Sequence, residues 1–175
     1  MATYFPTLQT GFLKKIRRKA TSFLRQPGFA KRWFPLLWVL LGLSRMAILL
    51  FSFRRLAPHL GNPVGIAACI PLLTPEQEAK AAQIGQAIRL AARYTPWVSN
   101  CFPQAVTARL VLGLHGIPYS LYFGVMREPE TCEYKAHAWV ATGRVAITGG
   151  YGFNRFTVVG CYTSLPHPAQ GQARR

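Results

Sequence analysis

The chain has 175 residues, 50% of them apolar, enough to bury one core and to favour a single domain. Its net charge of +16 comes from 21 Lys and Arg against five acids, all glutamate: Glu76, Glu78, Glu128, Glu130 and Glu133. There is no aspartate, which excludes every catalytic set that requires one.

Lys14, Lys15, Arg17, Arg18, Lys19, Arg25, Lys31 and Arg32 crowd the start of the chain, and no acid precedes Glu76. Such asymmetry suits either a solvated arm or an acidic partner, nucleic acid or an anionic membrane surface. No zinc-finger spacing, RNP-type aromatic strand or recognition-helix pattern accompanies the charge, so no nucleic acid is expected. The run WFPLLWVLLGLSRMAILLFSF, residues 33 to 53, is nearly long enough to span a bilayer, but it contains Pro35 and Arg45. A charge at the centre of a lone span costs ~2.5 to 3.5 kcal/mol on insertion. The run therefore predicts a buried or interfacial helix. It begins too deep for a secretory signal and lacks a small-residue cleavage pattern after it. The expectation is a cytoplasmic protein whose basic and apolar segment is available for peripheral membrane contact.

After breaks at Pro58, Gly61, Pro63, Gly65 and Pro71, the segment TPEQEAKAAQIGQAIRLAARY opens with Thr74 as N-cap, Pro75 at the first helical position and Gln77 closing a capping box. Ile84, Ala87, Ile88 and Ala91 recur at helical spacing and predict an inward face, leaving Lys80, Arg89 and Arg93 wet. Pro96 follows the end of this helix. Ser99 or Asn100 can cap the next one, CFPQAVTARLVLGL, in which Val106, Leu110, Val111 and Leu114 form the inward stripe before Gly116 and Pro118 stop it. YSLYFGV (119 to 125) reads as a strand and MREPETCEY (126 to 134) as a charged loop. In KAHAWVAT, period-two geometry puts His137 and Trp139 on one face and Ala136, Ala138 and Val140 on the other. Gly143 and Arg144 turn the chain into VAIT, and FTVVGCYT (156 to 163) is a last strand. SLPHPAQGQARR is a tail, and its His167 is assigned no role.

Four cysteines, Cys69, Cys101, Cys132 and Cys161, are widely separated, with no zinc-ligand spacing. In a reducing cytoplasm they are free thiols, and a free thiol is by default a small buried hydrophobe. Cys101 differs by position. It falls in the first turn of a helix, where unpaired N–H groups and the positive end of the helix dipole favour a thiolate. His137, on a strand downstream, is the partner base.

NCFPQAVTARLVL, HGIPYSLYFGV and AHAWVATGRV, in that order, resemble the transglutaminase-like cysteine proteases of lasso peptide biosynthesis, the B proteins. The resemblance runs over about residues 33 to 160, including an upstream apolar helix ending in FRRLAPHLG. It implies an α+β, papain/transglutaminase-like fold: a nucleophile helix packed on a small antiparallel sheet, with N-terminal helices. The implied organisation is a basic arm (1–32), a catalytic domain (33–163) and a tail (164–175). The implied activity is removal of the leader from a ribosomally made lasso precursor, with Cys101 as nucleophile, His137 as general base and no cofactor. A separate leader-recognition protein would deliver the substrate, and an ATP-dependent macrolactam synthetase would close the ring. The family commonly places an aspartate on the strand after the histidine; here Thr148 or Gly149 stands there. An orienting group need not be charged, and the candidates are Thr148 by position and Asn154 by chemistry. A same-fold acyltransferase or transglutaminase, and a non-catalytic peptide-binding protein, are the alternatives.

Overall fold

The computed structural model describes residues 28–66, 70–150 and 153–165. The basic arm before Gly28, Cys69 and the tail with His167 lie outside the described residues. Helix α1 (Gly28–Leu50) carries Pro35 within it and is followed by a single helical turn, α2 (Phe53–Leu56). Strand β1 (Asn62–Gly65) comes next, then helices α3 (Pro75–Ala92) and α4 (Cys101–Leu114). Strands β2 (Ser120–Arg127), β3 (Tyr134–Thr142), β4 (Val145–Thr148) and β5 (Thr157–Thr163) complete the domain. The strands form one antiparallel sheet in the order β1-β5-β2-β3-β4.

Binary patterning explains the layers. Leu121, Ala138, Val140 and Ile147 face the helices, where they meet Ile84, Ile88, Ala108, Val111 and Leu112 in the main core. The alternate residues Tyr122, Trp139 and Cys161 build a smaller cluster on the other face. Trp139 stacks on its cross-strand partner Tyr122 at 5.4 Å. The alternation expected of KAHAWVAT is therefore the one observed, with the helices on its alanine face.

The capping box at the head of α3 forms as expected: Thr74 and Gln77 exchange side-chain and backbone hydrogen bonds. Strand β1 was not expected in a segment broken by Pro63 and Gly65. It sits at the sheet edge, where a missing N–H is tolerated, and its register slips between those two residues. Helix α1 is long and apolar enough to cross a membrane by length and composition. Here it lies along the domain, burying Ala30, Leu37, Leu41 and Ser44 against α3 and α4, with Ser44 Oγ 3.1 Å from Thr107 Oγ1.

Candidate active site

Cys101 is the first residue of α4, half-buried and a free thiol. Asn100 is the N-cap residue, yet its side chain makes no capping bond, and Ser99 does not cap either. The approach to the helix is held otherwise. The Thr95 hydroxyl lies within hydrogen-bonding distance of Ala92 O, Trp97 O and Ser99 Oγ, and Gln104 Nε2 donates to Ser99 O at 2.7 Å. Helix α1 clamps the same stretch, because the Trp97 ring packs on Trp38 at 4.4 Å and closes over Gly42, where a Cβ would come within 2.9 Å of it. Trp38 Nε1 donates to Tyr94 O. The start of α4 is set by packing rather than by a cap.

Phe102 lies edge-on to Phe123 at 5.4 Å, and Phe123 pairs with Ala138 across β2 and β3. The head of α4 therefore stands over the part of β3 that carries His137. The imidazole itself points to the other face of the sheet, stacked on Phe156 at 4.9 Å and on Trp139 at 5.8 Å. Gly124 is its cross-strand partner, and a side chain there would come within 2.9 Å of both Trp139 and Phe156. Only glycine leaves room for the stack. Among the described residues, no hydrogen bond joins Cys101 Sγ to His137.

His137 is oriented by the backbone, not by the residues expected. Its Nε2 lies 2.8 Å from Gly149 O. A carbonyl can only accept, so Nε2 carries the proton and, in the neutral ring, Nδ1 keeps the lone pair. Asn154 is exposed on the short helical turn Phe153–Arg155, and Thr148 is buried with its Oγ1 unpartnered, cross-strand from Val140 on the helix side. Among the described residues, neither is hydrogen-bonded to the imidazole. Gly149 has φ +65, and a Cβ on it would come within 2.6 Å of Ala138 O and 3.0 Å of His137 Nε2. At the place where an aspartate was expected, the chain makes room for a main-chain acceptor.

Arg89 was expected on the wet face of α3. It turns inward instead, and Nη1 donates to Ile147 O at 2.6 Å, while Gly85 lets α3 approach so closely that a Cβ would lie 2.8 Å from the same carbonyl. The pair pins β4 two residues before Gly149. At the other end of β4, Arg144 donates to Glu78 through its backbone N–H and its guanidinium, and these bonds hold the Glu78 carboxyl below the usual carboxylate range. A cleft of about 310 Å³, lined by Ile70, Tyr122, Trp139, Ala141, Val145 and Val158, opens on the same sheet face as His137 and shares Trp139 with its stack. Of the other cysteines described, Cys161 is buried in the smaller cluster and Cys132 is exposed in the β2–β3 loop.

Residues 45–161 match the family model of the transglutaminase-like superfamily. The chain belongs to that superfamily. Its α+β architecture, a helix that begins with cysteine on an antiparallel sheet that carries histidine, is a transglutaminase-like domain, in a family of cysteine peptidases and acyltransferases. Comparison with curated proteins and with solved structures returns no significant match.

Proposed function

We propose that the protein is a cysteine peptidase that removes the leader from a lasso peptide precursor, with Cys101 as nucleophile and His137 as general base. The observation that carries this reading is the placement of Cys101 at the head of α4, over the stretch of β3 that presents a histidine with one ring nitrogen held and the other left free. Because the imidazole lies on the sheet face opposite α4, Nδ1 meets Sγ only if His137 and its stretch of β3 rearrange when substrate binds; catalytic contacts commonly tighten only in that complex. Nδ1 then takes the thiol proton, and Sγ attacks the scissile carbonyl. The uncapped leading amides of α4, those of Cys101 and Phe102, are donors for the oxyanion. Collapse expels the core peptide's amine with the proton from His137, and water then releases the leader's acyl group from sulfur. No cofactor enters. The order of motifs supports the lasso precursor as substrate, delivered by a discrete recognition protein and passed on to an ATP-dependent macrolactam synthetase.

The test is reconstitution: purified protein, precursor and recognition protein, with products read by mass. Two fragments whose masses sum to precursor plus water, lost in Cys101→Ala, support hydrolysis. An adduct on an added amine would move the protein to acyl transfer. The lack of a Cys101–His137 hydrogen bond favours a second reading, a non-catalytic peptide-binding protein. Tight binding of the precursor without cleavage would select it.

A further inference from the structure

Helix α1 has two apolar faces, and only one is used. Ala30, Leu37, Leu41 and Ser44 are buried against the domain. On the opposite side Leu36, Val39, Leu43, Met46 and Leu50 recur at spacings of three and four, and each is 45–68% exposed. The stripe runs about 21 Å along the helix at 1.5 Å per residue and continues into Phe51, also exposed. Contiguous exposed apolar surface of this kind marks a binding face. Exposed Arg32 stands at one end and exposed Arg54 and Arg55 just beyond the other, and the sequence has no acid before Glu76 to offset them. A second copy of the chain fits poorly. Two heptads fall short of the three or four that a coiled coil needs, and pairing would set arginine against arginine with no glutamate to answer. An anionic bilayer answers both features, with acyl chains for the stripe and headgroup phosphates for the arginines.

We propose that the outward face of α1 docks the protein on an anionic membrane surface, the helix lying in the interfacial plane with Leu36, Val39, Leu43, Met46 and Leu50 immersed. It lies on the membrane rather than across it, because spanning would strip Leu37, Leu41 and the Ser44–Thr107 contact from the core. This holds whatever reaction the domain catalyses. The experiment is co-sedimentation of the full chain with phosphatidylcholine vesicles, with or without phosphatidylglycerol, at low and high salt. The expected result is binding to the anionic vesicles alone, weakened by salt, released by alkaline carbonate, and reduced about tenfold or more in Leu43→Glu/Met46→Glu. Both positions are exposed, so circular dichroism and the thermal midpoint should not change. Equal binding by the wild type and that variant would overturn the proposal and assign binding to the basic arm alone. Resistance to carbonate would overturn it in favour of a span. A salt-insensitive dimer without vesicle binding, dispersed by the same substitutions, would give the face to a second copy.

Discussion

At the scale of single residues, the geometry turns on a carbonyl that no side-chain motif announces. His137 and Cys101 were legible because each stands at a position with a chemical consequence, a strand face and a helix start. Gly149 was not, since its contribution is a main-chain oxygen presented by a left-handed backbone turn. Gly149→Ala should cost about 1 kcal/mol or more in strain alone, and it should also lower activity beyond what that instability explains, read as a fall in kcat at temperatures where the variant is folded. Gly149→Asp, which would supply the missing acid, should do no better, because its Cβ meets the same obstacles. Asn154→Ala should leave activity near wild type, because the side chain is exposed and the imidazole's hydrogen bond goes to Gly149 O. Thr148→Val removes a buried hydroxyl that has no partner, so it should stabilise the fold by up to about 1 kcal/mol, visible as a higher thermal midpoint.

At the scale of elements, the capping box placed the start of α3, and turn residues and alternation placed the bounds of α4, β3 and β4. The inward stripe expected of α4 was not the one observed, since Leu114 is exposed and Ala105, Thr107, Ala108, Val111 and Leu112 are among the buried residues. Local signals say nothing of where a long side chain ends, and Arg89 was misjudged for that reason: its stem lies on α3 while its head reaches across to β4. Arg89→Met should lose a charged hydrogen bond worth about 1.5 to 3 kcal/mol and loosen the strand that delivers Gly149 O. If Arg89 positions His137, the variant's pH–rate profile should shift as well as its stability; a purely structural role would leave the profile in place. Glu78 braces the other end of β4. Its carboxyl is held below its ordinary value of 4.5 by the Arg144 bonds, so its contribution is present above that value and is lost as pH falls through the lower, folded-state one. The thermal midpoint of Glu78→Gln should lie below wild type at neutral pH, and the gap should close on acidification.

At the scale of the whole molecule, the apolar run after the basic residues was legible as a helix, and α1 buries Ala30, Leu37, Leu41 and Ser44 against the domain. What composition could not reveal is that α1 shapes the site. Through Trp38, Gly42 and Trp97 it fixes the loop that starts α4, and Gly42→Val should push Trp97 aside and lower activity, with precursor binding kept. The face cleft beside Trp139 was equally invisible, because it is assembled from β2, β3, β4, β5 and Ile70, residues far apart in the chain.

The account rests on Cys101 and His137 acting together, and selective alkylation tests that most directly. Wild-type protein and His137→Ala would be treated with limiting iodoacetamide across a range of pH, and labelling at each cysteine read by peptide mass. Cys101 is predicted to react well ahead of the exposed Cys132, with an advantage that persists into mildly acidic solution and is lost in His137→Ala. Labelling of Cys101 no faster than Cys132, and unchanged without His137, would contradict it.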